Sequence, residues 1–368
     1  MATDRTPFHG MPGPATAVPA VEPGPVSTAS PLLEESPTGG IPLQTARGRA
    51  AGERAYDLFS AAISACTARG LRDRAAALLE EEARLPFLTP EEAERVGDDL
   101  DRSLAELRAG PVPDTGAEAG PLSEADLADL FDLGLRGRLT GTAREHPRVL
   151  LFGGQPGAGR STVQRLLLPV LPEGTVSYDG DDLMRLSPHY ERAMLRDDRS
   201  ASQSVAAHVG ALHDAALEHI LSGRSDVLCN HPMGRADQAA AWVRAFREAG
   251  YRVEVAFLAV HASVSRRAIV ERYRLSRERR GSGRWVPEPV HDRLYQGVPN
   301  TVEFLETHRL VDSLYVLSRD GEVLYADHLG ADGRWRSEPF GRIALEAQRG
   351  RRELWCPDDA AVPLPTGE

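Results

Sequence analysis

The sequence predicts an α/β fold, a mostly parallel sheet with helices on both faces, preceded by a small helical segment and a disordered N-terminal tail. Three observations predict it. A short apolar run, Val149–Phe152, leads through a glycine-rich turn into an apolar-periodic helix that starts near Ser161. Further short apolar runs at 175–179, 227–230 and 253–260 alternate with helical stretches, the order of a parallel sheet covered on both sides. Residues 1–45 are rich in Pro and Gly and poor in large apolar side chains, too poor to repay the entropy of ordering.

The remaining boundaries follow from changes in texture. A helical module is expected over 46–110, where Tyr56, Phe59 and Ile63 share one face and Leu71, Leu78 and Leu79 begin a second helix. Thr89-Pro90-Glu91-Glu92 is a capping box with proline at the first helical position, so a third helix starts there. A linker and short helix fill 111–144, with Ser123-Glu124-Ala125-Asp126 as the helix start. The main domain covers 145–350 and a C-terminal tail 351–368. The proline- and glycine-containing stretch near 110–120 makes the helical module separable in expectation, either a scaffold packed on the main domain or a regulatory unit. Arg319-Asp320-Gly321 between two short apolar runs signals a hairpin.

From Gly154 to Ser161 the chain reads G-x-x-x-x-G-R-S, one residue away from the phosphate-binding loop, which makes the expected fold one of P-loop NTPase type. Glycines at 154, 157 and 159 let successive backbone N–H groups turn inward around an anion, and the helix N-terminus adds partial positive charge. Gly154, Gln155, Pro156, Gly157, Ala158, Gly159, Arg160, Ser161 and Thr162 are the candidate residues for a nucleotide triphosphate, with the Ser161 hydroxyl as ligand to Mg²⁺. Arg160 stands where the pattern has lysine, and a planar fork does not follow the phosphates as a compact ammonium does. Yet the 368 residues contain no lysine, so all 43 basic residues counted as Lys+Arg are arginine. Arg160 reads either as part of that chain-wide exchange or as lost activity.

Other classes are disfavoured. A net charge of −11 argues against a nucleic-acid surface. No apolar run approaches membrane-spanning length, and the N-terminus lacks the pattern of a secretory signal. Cys66, Cys229 and Cys356 are widely separated and match no metal spacing. The expectation is a cytoplasmic protein with neither nucleic acid nor membrane as partner.

Asp179-Gly180-Asp181-Asp182 follows the second strand, where α/β sheets place their ligands. Asp181 is the leading candidate for a base beside a transferring phosphate, Asp179 is the alternative, and Asp182 suits a helix cap. Arg272, Arg274, Arg277, Arg279 and Arg280 precede Arg284, which lies between Gly283 and Trp285 and is the arginine best suited to meet developing phosphoryl charge. His208, His213 and His219 lack chelating spacing and read as structural or surface residues.

These residues resemble the zeta-toxin group of P-loop kinases over roughly 145–330. The resemblance rests on Gly-Gly-Gln-Pro-Gly-Ala-Gly at 153–159, Asp179-Gly180-Asp181 with the later Ser187-Pro188, and Gly234-Arg235 after the third strand. It continues with Glu271-Arg272-Tyr273, Arg284, Pro287, His291-Asp292 and the Arg319-Asp320-Gly321 hairpin. It implies an ATP- and Mg²⁺-dependent kinase acting on a sugar hydroxyl of a UDP-activated N-acetyl amino sugar. The family's loop lysine falls on Arg160, its base on Asp181, its phosphate-binding arginine on Arg284 and its magnesium ligand on Ser161. Acceptor contacts are then expected from Asp179, His231 and Arg235. Where the family usually carries a glutamate after the third strand, this chain has Asn230-His231-Pro232-Met233. The resemblance also implies a small helical antitoxin partner. The alternatives are the same fold with another acceptor, such as a nucleotide, cofactor or antibiotic, and a degenerate protein that binds nucleotide or a partner without transfer.

Overall fold

The computed structural model describes residues 31–35, 46–112 and 120–356. Four helices come first: α1 (Ala46–Ala68), α2 (Arg72–Ala83), α3 (Pro90–Ala109) and α4 (Glu124–Gly134). The main domain then runs β1 (Arg148–Gly153), α5 (Arg160–Leu167), β2 (Val176–Asp179), a 3₁₀ turn (Gly180–Leu186), α6 (Tyr190–Arg196), α7 (Ala201–Ser204), α8 (Ala206–Gly223) and β3 (Val227–Asn230). It ends with α9 (Ala236–Glu248), β4 (Arg252–Leu258), α10 (Ala262–Arg280), α11 (Glu288–Thr307), β5 (Ser313–Leu317), β6 (Val323–His328) and α12 (Gly341–Arg349).

The six strands form one sheet in the order β2-β3-β1-β4-β5-β6. All neighbours are parallel except β5 and β6, which form the hairpin turned by Gly321 at φ 87°. The strands read as continuous apolar runs because both faces are covered, and alternate residues sort between them. Val149 and Leu151 face the layer of α8, α9 and α11, whereas Leu150 and Phe152 face α5. With β1 in the middle of the sheet, the loop after it opens at the centre of the strand ends.

Two corrections concern the N-terminal part. Leu32 and Leu33, inside the stretch expected to be a tail, are buried on the α5 face of the sheet. Two neighbouring leucines gain about 1.5–3 kcal/mol each from such burial, which offsets much of the entropy of ordering a short segment. Leu32 N also donates to Glu254 Oε1 on β4 at 2.6 Å. Burial pushes the Glu254 carboxyl up to about 7, against the pull of Arg252 and of the bonds from Leu32 N and the Tyr315 hydroxyl. The rest of the expected tail, and residues 357–368 at the other end, lie outside the described residues.

The second correction concerns separability: α1–α3 pack on the main domain, as the scaffold reading expects, and share its core. The capping box is present: Thr89 N donates to Glu92 Oε2 at 2.8 Å and Glu92 N to Thr89 Oγ1 at 3.3 Å. Ala55, Leu58, Phe59, Ala62, Ile63 and Cys66 make a buried stripe on α1 at helical spacing. That stripe belongs to the same apolar cluster as the sheet residues Val149, Val176 and Val227. Ion pairs run across the boundary: Arg280 Nη2 to Asp57 Oδ1 at 2.7 Å, and Arg108 Nε to Glu191 Oε1 at 2.8 Å. A fragment starting at Leu122 strips this cover from the core and removes Glu82, which pairs with the buried Arg185. It is expected to show no cooperative melt by circular dichroism, whereas a sharp transition would restore the separable module.

Candidate active site

After β1 the chain turns through Gly154 (φ 147°), Gly157 (φ 79°) and Gly159 (φ 104°) before α5 begins at Arg160. A side chain is strained at each of these angles, so the loop requires glycine. At Gly157 the approach is close as well, since a Cβ would lie 2.2 Å from Ser265 O of α10. Gln155 braces the loop from within the core. Its Nε2 donates to Val260 O (2.8 Å) and Ser265 Oγ (3.1 Å), and its Oε1 accepts from Arg349 Nη2 (2.9 Å). The Ala158 side chain is buried in the α5-side core. These two loop side chains therefore hold the loop, and the turned amides are what it presents.

The next three residues face polar neighbours. Ser161 Oγ donates to Asp179 Oδ2 at 2.7 Å, and Asn230 Nδ2 donates to that same oxygen at 2.8 Å and to Ser161 Oγ at 3.2 Å. Thr162 Oγ1 donates to Glu53 Oε1 of α1 at 3.2 Å. Arg160 sits among Asp181, Asp179 and Arg284; burial lowers the pKa of its guanidinium and the two carboxylates oppose that.

The three aspartates take three different environments. Asp179 caps the 3₁₀ turn by accepting from Asp181 N at 3.0 Å, the capping role expected of Asp182. Burial, then the charges of Asp181 and Asp182, push its carboxyl above the ordinary range. Asp181 pairs with Arg284 Nη2 at 2.7 Å. Burial pushes the Asp181 carboxyl up, but Arg284, Arg160 and Arg272 together outweigh it and hold it at about 2. Asp182 accepts from the Tyr56 hydroxyl of α1 and lies near Arg185 (3.3 Å) and Arg138 (3.8 Å).

Arg284 is placed by its own loop. A Cβ on Gly283 would come within 2.6 Å of Tyr273 O, and Gly283 N donates to Asp198 Oδ2 at 2.9 Å. Asp198 Oδ1 also accepts from the Tyr273 hydroxyl at 2.9 Å, so the end of α10 and the Arg284 loop are fastened together. Arg272, which sequence reasoning passed over for Arg284, also faces Asp181. Its position on α10 gave no sign of this, because the turn it faces lies about ninety residues earlier.

The two remaining acceptor candidates lie differently from expectation. His231 is buried against Trp242, with ring centroids 4.6 Å apart, and its Nδ1 accepts from Met233 N at 3.2 Å. Burial, then His213 and Arg160, hold its pKa at about 3, so it is neutral and part of the packing. Arg235 is half-exposed and clasps Asp237 at 2.6 Å. Beside Ser161 and Asp179 lies a cavity of about 390 Å³, walled by Tyr56 and Phe87 on one side and Gln164 and Arg165 on the other. Among the described residues no group of three or more His, Cys, Asp or Glu is arranged to hold a metal, and no helix is long and apolar enough to cross a membrane.

The profile of the Zeta toxin family matches residues 135–329. Toxin PezT of Streptococcus pneumoniae serotype 4 is 22% identical over 182 residues, which cover 49% of this chain and 72% of PezT. Toxin zeta of Streptococcus pyogenes is 24% identical over 189 residues, covering 50% of this chain and 64% of that toxin. A solved structure from work on the PezAT chromosomal toxin–antitoxin system of Streptococcus pneumoniae superposes with a TM-score of 0.50 at 18% identity, covering 62% of this chain and 96% of that one. At that identity the likeness is one of fold. The helices α1–α4 precede the matched segment.

The pairing of Asp181 with Arg284 has a pH signature. A carboxyl held at about 2 in the folded chain and near ~3.9 unfolded contributes stability fully above about pH 4 and loses it as the pH falls through its folded value. Arg284→Gln removes the largest downward pull. The difference in thermal midpoint between the native protein and this variant should therefore narrow between about pH 5 and about pH 2. A difference that stays constant across that range means the pair adds nothing to the fold.

Proposed function

The chain belongs to the zeta-toxin family, and from that premise we propose that it is an ATP-dependent kinase for a sugar hydroxyl of a UDP-activated N-acetyl amino sugar. One observation carries the proposal: the Asp181 carboxylate paired with Arg284 at 2.7 Å and lowered as well by the charges of Arg272 and of Arg160, the residue that opens the helix after the glycine loop. Phosphoryl transfer asks for this combination, since catalysis there is positioning plus stabilisation of charge on the equatorial oxygens.

The amides of Gly157 and of Gly159 to Thr162 cradle the phosphates, with Arg160 in the place of the usual lysine. Asp181 accepts the proton of the acceptor hydroxyl as its oxygen bonds to the terminal phosphorus and ADP departs. Arg284 and Arg272 meet the charge that develops on the transferring group. The donors around Ser161 suit Mg²⁺, a hard cation that takes oxygen ligands. Ser161 Oγ lies against the Asp179 carboxylate, and Asn230 Oδ1 beside them is buried without a hydrogen-bond partner among the described residues. Ser161 would hold the ion, whose charge would neutralise the phosphates. Asp179 orients the Ser161 hydroxyl and His231 supports the turn after β3; Arg235, paired with Asp237, would have to leave that carboxylate to contact the acceptor. A helical antitoxin partner belongs to the same proposal.

A kinase with another acceptor is the second reading, favoured by the turn Asn230-His231-Pro232-Met233, which offers no carboxylate to a sugar. Incubation of the purified protein with labelled ATP and a panel of UDP-sugars separates the two. Label on a UDP-N-acetyl amino sugar is the expected result; label only on a different hydroxyl compound moves the proposal to the second reading. ATP binding with no transfer to any acceptor overturns both.

Four variants test the roles. Arg160→Ala should weaken Mg-ATP binding in titration calorimetry, and Arg160→Lys should retain or improve it; binding indifferent to Arg160→Ala removes this residue from the site. Asp181→Asn keeps shape but cannot serve as a carboxylate base. It should lower kcat by on the order of 10²–10⁴-fold with ATP affinity little changed. Loss of transfer in Asp179→Asn instead, with Asp181→Asn active, would make Asp179 the base.

A further inference from the structure

The turn that carries Asp181 is an unlikely piece of backbone to stand unaided. It is seven residues of 3₁₀ helix, Gly180–Leu186. Such runs rarely exceed three or four residues, because side chains three apart eclipse and the hydrogen bonds are poorly aligned. Its Asp181 carboxylate also has Asp182 beside it and Asp179 two residues back. Ties from outside the turn must fix both its path and its charge.

Those ties come from the N-terminal helices. Glu82, on α2, accepts two bonds from the Arg185 guanidinium of the turn, 2.5 Å to Nη1 and 2.6 Å to Nη2. The pair is 4% and 1% exposed. The Tyr56 hydroxyl of α1 donates to Asp182. Arg138 spans both, 3.1 Å from Glu82 and 3.8 Å from Asp182. The Tyr56 ring in turn lies under the guanidinium of Arg165, 4.7 Å away, on the helix that follows the phosphate loop. Asp182 and Arg185, which both follow Asp181, are thus held, these ties engage them rather than the Asp181 carboxylate, and the same tyrosine meets the phosphate helix. A bidentate arginine–carboxylate pair fixes direction as well as distance.

We propose that Glu82 and Tyr56 are positioning residues for transfer: from outside the segment matched to the family, they set where Asp181 stands relative to the phosphate loop. This rests on the kinase reading and deepens it. Helices α1 and α2 are then part of the catalytic unit rather than an appendage. A turn displaced by about 1 Å costs on the order of 10²-fold in rate while leaving the loop amides that bind nucleotide in place.

The test uses the full chain. Tyr56→Phe keeps the ring and removes the hydroxyl; Glu82→Gln keeps the volume and removes the charge; Glu82→Asp keeps the carboxylate. Three quantities are measured: kcat and acceptor KM with labelled ATP and UDP-N-acetylglucosamine, the Kd for Mg-ATP, and hydrogen exchange of peptides covering 179–186 and the β-sheet. Tyr56→Phe and Glu82→Gln are expected to lower kcat about 10- to 100-fold, with Mg-ATP Kd within about twofold. Exchange should rise in 179–186 and not in the sheet, and Glu82→Asp should recover part of kcat. Glu82→Gln can fail to fold because it strands Arg185, in which case Tyr56→Phe decides. Folded variants with native kcat overturn the proposal, as does a fall in ATP affinity that matches the fall in kcat. If the native protein transfers phosphate to nothing, the kinase reading and its positioning corollary fall together. Exchange confined to 179–186 would then mark the contacts as a brace for the turn alone.

Discussion

Three aspartates within four residues repel one another, and the site is arranged around the need to hold them together. Each is compensated in a different way. Asp181 is given guanidinium charge, from Arg284 first and then Arg160 and Arg272. Asp182 is given the Tyr56 hydroxyl and the neighbouring Arg185 and Arg138. Asp179 is given hydrogen-bond donors more than cations, from Ser161, Asn230 and the Asp181 amide, but burial and the charges of Asp181 and Asp182 outweigh them and push its carboxyl upward. Splitting the compensation in this way separates the carboxyls in acidity, which is how adjacent carboxylates come to do different work. It also ties α1 and α2 to the site, because the Tyr56 hydroxyl of α1 bonds Asp182 and Glu82 of α2 holds the Arg185 that lies beside it.

The absence of lysine gives this arrangement its character. Where a lysine would offer one mobile charge, arginine offers a fork that engages both oxygens of a carboxylate. Arg185 grips Glu82 in that way, and Arg148 grips Asp226 through Nη2 at 2.6 Å and Nε at 3.2 Å. The price of so many forks is steric, and glycine meets it where a guanidinium or its loop must come close. Gly97 lets Arg54 pass within 3.1 Å of where a Cβ would be, and Gly283 lets the Arg284 loop lie on Tyr273. Arg160, like Arg272, makes no hydrogen bond to a described side chain, and it sits among Asp181, Asp179 and Arg284.

What was legible in the sequence was what depends on near neighbours. The central strand, its glycine turn, the capping box at Thr89 and the hairpin at Gly321 each follow from local backbone preference, and the structure has all of them. Asp181 and Arg284 were legible as candidates because each follows a recognisable element, although their 2.7 Å pairing was not. Contacts that close over long separations left no trace. Glu82 and Arg185 are 103 residues apart and Tyr56 and Asp182 are 126 apart, and each side chain alone reads as an ordinary polar position on a helix or turn. Leu32 and Leu33 were lost in a Pro/Gly-rich stretch, because two apolar residues carry no period. His231 misled for the opposite reason: its place after β3 suggested a ligand contact, while the Trp242 that covers it lies on the next helix.

An Asp181 carboxyl at about 2 poses a problem for a base, since proton acceptance is most effective when the acid strength lies near the working pH. The geometry contains its own answer. The largest downward pull on Asp181 is Arg284, and Arg284 is also the cation best placed to meet phosphate oxygens. On the kinase reading, a bound triphosphate competes for that guanidinium with a greater charge than one carboxylate carries. Each step by which Arg284 turns toward phosphate releases Asp181 and lets its affinity for a proton rise. The like charges of Asp179 and Asp182, damped while Arg284 is in place, then push in the same direction. In a loose transition state the hydroxyl gives up its proton late, so the base is needed only after the arginine has found the transferring group. On that reading the Asp181–Arg284 pair keeps on the base the charge that serves the phosphate. It stays in register only because the turn beneath Asp181 is held from outside.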